Sequence, residues 1–147
     1  MCRIALATLL LLLPVSALAD GRADRCEPHR AVVEAVLAEH GVPAEYYWLM
    51  VAESGCRPGA VSKRGAVGFW QMMPATMRAH GCRNAEDLVC QTHAAAKYLA
   101  SLRRRFASMR EVVVAWNMGG SNFRRKGKPT AEAKALAAYV LQLVKES

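Results

Sequence analysis

Glu53-Ser54-Gly55, leading into Gly65-Ala66-Val67-Gly68-Phe69-Trp70-Gln71-Met72-Met73-Pro74, is the stretch whose reading decides the fold. The apolar run Tyr46-Tyr47-Trp48-Leu49-Met50-Val51-Ala52 feeds directly into it. Pro43 suits the first turn of a helix and Gly55 the left-handed position just past its end. The pattern therefore predicts a helix with Glu53 in its last turn. A helix apolar on every side is a buried one, so the carboxylate is half desolvated, which disfavours its charged form. The negative end of the helix dipole acts in the same direction. Both effects move the acid toward the range in which it donates a proton near neutral pH. The same position also suits a structural role, bonded to neighbouring backbone or paired with Arg57, and position alone does not choose between them.

Working outward, the segment between Glu53 and Pro74 changes character. Pro58-Gly59, Gly65 and Gly68 are turn signals around Ala60-Val61-Ser62 and Ala66-Val67, predicting a small β-hairpin or ordered loop. Glycines there let backbone approach a ligand closely. Elsewhere the periodicity is helical, so the fold class is mainly α. His29 to Glu39 places Val32, Val33, Val36 and Leu37 at helical spacing before Gly41. Pro74 opens a short helix that Gly81 closes. Asn84 is expected to cap another helix, with Glu86 and Asp87 in its first turn. Ala95, Tyr98, Leu99, Leu102 and Phe106 share one face of the next stretch. Ser108 and Glu111 form a capping box before Val112-Val113-Val114-Ala115-Trp116. A polar link from Arg124 to Pro129 leads to a last helix bearing Leu136, Tyr139, Val140, Leu143 and Val144.

The amino terminus predicts export. Arg3 precedes an apolar run from Ile4 to Val15, and Ala17-Leu18-Ala19 supplies small residues for cleavage before Asp20. Residues 1–19 thus read as a signal peptide and 20–147 as a single domain, enough for a core of its own. The apolar run is too short for a stable membrane span. Asp20, rather than cysteine, follows the cut, so no lipoprotein anchor is expected.

Cys26, Cys56, Cys82 and Cys90 remain after cleavage, and an even number in an exported chain reads as two disulfides with three possible connectivities. The short loop between Cys82 and Cys90 favours that pair, and hence Cys26 with Cys56. His80, Cys82, Cys90 and His93 form a competing cluster for zinc. Its spacing matches no usual finger pattern and an oxidising compartment favours disulfides, so no metal is expected. His29 and His40 show no partner and read as surface or helix-end residues. Without Arg3 the chain carries 19 Lys and Arg against 12 Asp and Glu, a charge of +7. That excess fits a polyanionic partner in the envelope. Export and the lack of any aromatic-basic motif argue against nucleic acid, and Arg103-Arg104-Arg105 reads as a solvated helix face.

Taken together, ESGCRPGAVSKRGAVGFWQMMPAT (53–76), AAAKYL (94–99) and AWNMGGSN (115–122) resemble the signature, central helix and AYNAG motif of the soluble lytic transglycosylase family. The likeness runs from about Pro43 to Phe123. It implies a goose-type lysozyme-like helical domain whose small hairpin or loop lies beside an active-site groove. It further implies a peptidoglycan-cleaving enzyme that breaks the bond between N-acetylmuramic acid and N-acetylglucosamine and leaves a 1,6-anhydromuramic end. Glu53 matches that family's single catalytic acid. By the same likeness Ser62 lies near the acid, Gln71 and Met73 line the sugar groove, and Asn117 lies near the substrate. Gln71 is the strongest of these, because a glutamine buried beside glycines has few purely apolar uses. Each also has a structural reading: a turn for Ser62, backbone bonding for Gln71, core for Met73 and a helix-end cap for Asn117.

The chain departs from the family pattern at several places. Trp116 replaces the usual tyrosine of AYNAG, keeping an aromatic wall for sugar stacking but losing a hydroxyl. Met118 replaces a small residue. Tyr139-Val140 resembles the last motif, whose tyrosine lies close to the acid, but Ala135 and Leu136 stand where Glu-Thr is expected. Ordinary glycosidases use two carboxyl groups. Near Glu53 in sequence only Glu39 and Glu45 offer a second, and Glu45, two helical turns away, suits the first turn of the helix. Glu86 and Asp87 could approach in space but already have a helix-start reading, so no second catalytic carboxylate is evident.

The expected function is a periplasmic lytic transglycosylase, monomeric and without cofactor, acting on peptidoglycan glycan strands. The absence of a separate wall-binding domain suggests local opening of the wall for an envelope-spanning secretion or assembly apparatus. Alternatives are a hydrolytic muramidase of the same fold, a noncatalytic peptidoglycan-binding scaffold, and a secreted factor using the same reaction.

Overall fold

The structure, a computed structural model, describes the backbone from Val15 and side chains from Gly21 onward. The apolar run of the expected signal peptide lies, for residues 1–14, outside the described residues. Seven α-helices occupy the described chain: α1 Val15–Glu39, α2 Tyr47–Ser54, α3 Pro74–Ala79, α4 Leu88–Arg103, α5 Met109–Met118, α6 Gly120–Lys126 and α7 Ala131–Glu146. None of the described helices is long and apolar enough to cross a membrane.

Helix α2 is the central element. Pro43 precedes a 3-10 turn, Ala44–Tyr46, that winds into α2, and Gly55 closes it in the left-handed conformation at φ 58°. Tyr47, Leu49, Met50 and Val51 are fully buried, as expected of a helix apolar on all sides. Helices α1 and α7 pack on α2, α4 packs on α1, and α5 lies between α4 and α7.

Residues 56–73 form the ordered loop rather than a regular hairpin. Two isolated antiparallel bridges, Val61 with Val67 and Val67 with Met72, are its only β structure. Buried Gln91 of α4 holds the loop, accepting from Trp70 N at 3.0 Å and donating to Val67 O at 2.8 Å. The Trp70 indole donates to Thr92 Oγ1 at 3.0 Å. Gly68 is required here: at φ 76°, a Cβ would lie 2.4 Å from Ala85 O and 2.6 Å from Gln91 Oε1.

Several boundaries differ from expectation, each for a tertiary reason. Helix α1 begins well before His29 and continues through Pro28. An interior proline costs about 3 kcal/mol, and side-chain bonds from Arg22 and Arg25 to the end of α2, with a disulfide at Cys26, hold the segment in place. Asp87, not Asn84, caps α4 through its side chain on Cys90 N; Asn84 instead turns back on Glu86 N. Glu86 and Asp87 are therefore outside the first turn. Phe106 falls beyond the end of α4 and stacks on Phe123 at 5.3 Å. That contact lies on α6, a helix hidden by its polar composition, whose last turn carries Arg124, Arg125 and Lys126 where cations favour the helix dipole. The capping box of Ser108 and Glu111 is formed at the start of α5.

Disulfides join Cys26 to Cys56 and Cys82 to Cys90. The second takes both thiols of the zinc alternative, and among the described residues no group of three potential ligands is close enough to hold a metal. His40 does have a partner, contrary to its reading as a lone residue. Its Nε2 lies 2.9 Å from His93 Nδ1 on α4, a juxtaposition invisible in a sequence where they are 53 positions apart. His29 meets the edge of Phe69 at 5.9 Å.

Candidate active site

Glu53 emerges at the end of α2 into a cavity of about 310 Å³. The loop contributes Ser62, Arg64, Gln71 and Met73 to its lining, α5 contributes Trp116 and Asn117, and the first turn of α7 contributes Glu132. A space of that size suits a sugar-sized group with polar side chains set into an apolar wall.

The acid is held from one side. The Trp116 indole Nε1 donates to Glu53 Oε1 at 3.0 Å. Arg57 does not pair with Glu53 but donates to Ser54 O at 3.2 Å. Burial pushes the Glu53 carboxyl up to about 7; the Trp116 hydrogen bond opposes this and the nearby charge of Glu132 adds to it. Desolvation is thus the dominant cause, as α2's apolar character implied. Trp116 also leans on Trp70 at 6.0 Å and Tyr98 at 5.4 Å, which fixes the indole's aim.

The remaining candidates divide. Met73 is 46% exposed, which removes its reading as core. Gln71, at a positive φ of 49°, is only half-buried, and its amide nitrogen donates to Ala60 O and Gly68 O at 3.0 Å each. It braces the loop and leaves its side-chain oxygen for a ligand. Ser62 Oγ likewise accepts from Ala66 N at 3.0 Å while lining the groove. Asn117 lines the groove near the end of α5. Tyr139 packs half-buried against the core and is not among the residues lining this cavity. It sits two turns, or roughly 10 Å, beyond Glu132 along α7, and α7 reaches the groove by its first turn.

Sequence reasoning missed Glu132, Arg64 and Tyr98. Glu132 and Arg64 form an ion pair at 3.1 Å between α7 and the loop. Nothing local marks either residue. Each is a charged residue in a polar stretch, and only folding brings them to the same groove.

The sequence matches a known family over most of its length. Residues 31–139 match the family described as Transglycosylase SLT domain. The chain belongs to that family. Over 131 residues this SLT-domain chain is 28% identical to Membrane-bound lytic murein transglycosylase D of Escherichia coli (strain K12), covering 84% of this chain and 29% of that protein. The protein of that name from Escherichia coli O6:H1 (strain CFT073) matches with the same identity and coverage. The chain therefore spans less than a third of the length of these relatives.

Within the SLT domain, Trp116→Phe is expected to raise the Glu53 pKa still further. It removes the one hydrogen bond that favours the carboxylate while keeping an aromatic ring over the acid. A hydrogen bond to a charged group is worth ~1.5–3 kcal/mol. A carbon-13 titration of the Glu53 carboxyl checks the direction, and an unmoved or lower midpoint would contradict it.

Proposed function

We propose that this SLT domain is a lytic transglycosylase that cleaves the bond between N-acetylmuramic acid and N-acetylglucosamine in peptidoglycan, with Glu53 as its acid and base. The observation that carries the reading is a single half-buried carboxyl, raised to about 7, facing a cavity and held by an indole N–H. At neutral pH such a group is populated in both protonation states, as a residue that first gives and then takes a proton requires.

In the proposed reaction, protonated Glu53 gives its proton to the glycosidic oxygen as the bond from that oxygen to the muramic C1 breaks. The substrate's own N-acetyl oxygen closes onto C1. The muramic C6 hydroxyl then displaces it, forming the 1,6-anhydro bond, and its proton returns to the Glu53 carboxylate. No water is consumed and the acid is regenerated. Trp116 and Tyr98 supply aromatic surface for sugar rings, while Asn117 and the Gln71 oxygen supply polar contacts. The scheme calls on no group outside the chain and its substrate. We place the reaction in the bacterial envelope, after export, with the chain acting as a monomer and opening the wall locally for an assembly that crosses it.

A hydrolytic muramidase is the second reading, favoured by the presence of Glu132 in the same groove. An inverting hydrolase uses a second carboxylate to activate water. Glu132 is instead paired with Arg64 and well exposed, which makes it a poor base. Mass analysis of digested peptidoglycan separates the two, because the anhydro product is lighter by one water. Anhydro ends are expected from the wild type and from Glu132→Gln. Reducing ends alone would defeat the transglycosylase reading.

A further inference from the structure

Glu53 belongs to a helix too short to hold itself. Helix α2 has eight residues, about two turns, and isolated helices of that length are not stable in water. Its last carbonyls also lack partners within the helix. The structure supplies them from α1. Arg22 Nη1 donates to Ala52 O at 2.7 Å, and Arg25 Nη1 donates to Gly55 O at 2.9 Å. Cys26 is bonded to Cys56. Positions 22, 25 and 26 share one face of α1, so one surface of that helix grips the chain immediately before and after Glu53.

The grip leaves little slack. A Cβ on Gly55 would lie 2.9 Å from Arg25 Nη1 and 3.0 Å from Arg22 Cγ. On the opposite side, Ser54 Oγ donates to Phe69 O at 2.6 Å and ties the helix end to the loop. The neighbours of Glu53 are thus fixed from two directions while its carboxyl meets Trp116. All three gripping residues lie before residue 31, where the family match begins. They are a feature of this chain outside the matched domain.

We propose that Arg22 and Arg25 are positioning residues for Glu53, acting through the Ala52 and Gly55 carbonyls to hold the acid against the Trp116 indole and aimed into the groove. This rests on the reading of Glu53 as the acid. The two guanidinium groups also place positive charge at the negative end of α2. The expected cut before Asp20 leaves both arginines on the processed chain.

The test compares Arg22→Ala, Arg25→Ala, the double alanine variant and the corresponding lysine variants, each in the full processed chain. On soluble glycan strands, each single alanine variant is expected to lose about tenfold to a hundredfold in kcat, the scale of a small misplacement of a reacting group, with KM within about twofold. Lysine still donates to a carbonyl and is expected to restore most of the rate. A second readout does not depend on activity. The Trp116 indole N–H resonance is expected to shift with pH as Glu53 ionises in the wild type, and to lose most of that shift in the alanine variants. Wild-type kcat together with a wild-type indole titration in the alanine variants would overturn the proposal, as would lysine variants no better than alanine. Should the wild type not cleave glycan at all, the functional reading fails, yet the indole titration still decides the positioning role. Should the double variant not fold, the single variants decide it.

Discussion

Glu53→Gln is expected to reduce glycan cleavage by about 10²–10⁴-fold, toward the upper end because one group serves as both acid and base. Glutamine keeps the size of the side chain, and its oxygen still accepts from the Trp116 indole, now at 3.0 Å from Glu53 Oε1. It has no proton to give to the glycosidic oxygen. The fold and the groove are expected to survive, so affinity for soluble glycan strands should stay within a few-fold of wild type. Muropeptide release measured beside binding checks both. A variant that still clears purified walls at the native rate would remove Glu53 from the chemistry, and a variant that neither cleaves nor binds would point to a structural role.

The second large effect is on pH dependence, and here stability and activity move together. The Glu53 carboxyl titrates at about 7 in the folded chain against an ordinary value of 4.5. Between those values the folded chain keeps a proton that the unfolded chain has lost. The stability this group contributes is therefore full below about pH 4.5, declines through the window and is gone above pH 7. Each unit corresponds to about 1.4 kcal/mol, so the wild type is expected to lose roughly 1–3 kcal/mol across the window, allowing for the groove's contact with water. Glu53→Gln carries no such charge. It is expected to unfold at higher denaturant than wild type at pH 8 and to match it near pH 4. Equilibrium denaturation at the two pH values measures this, and an equal difference at both would contradict it. On the proposed reaction, wild-type activity falls about tenfold per unit above pH 7 as the acid form is lost.

The legible parts of the molecule were those written in local pattern. Pro43, the apolar run and Gly55 define α2 because helix starts, burial and left-handed ends each have a distinct residue signature. Ser108 and Glu111 announce α5 for the same reason. The cysteines pair as their spacing favoured. Of the site residues read from the family resemblance, Glu53, Ser62, Gln71, Met73, Trp116 and Asn117 all line one groove, and Tyr139 does not.

What escaped the sequence depended on contacts between distant segments. The spacing of Val32, Val33, Val36 and Leu37 supports a helix only from His29, and the grip of Arg22, Arg25 and Cys26 on α2 holds the earlier turns through Pro28. The expected polar link from Arg124 to Pro129 overlaps the end of α6, because a helix stabilised by packing at Phe123 need not show an apolar stripe. The fully buried glutamine is Gln91 rather than Gln71; both are polar residues among apolar ones, and the distinction lies in which side of the loop each faces.

The sequence by itself determined that an acid sits at the end of a buried helix, because hydrophobic periodicity and glycine position act within a few residues. Tertiary structure alone decided how that acid is tuned. Its hydrogen-bond donor, Trp116, is 63 residues away, its nearby charge, Glu132, comes from the start of α7, and its support comes from α1. Desolvation, charge and hydrogen bonding fall off over a few ångströms of space, and no spacing along the chain encodes them.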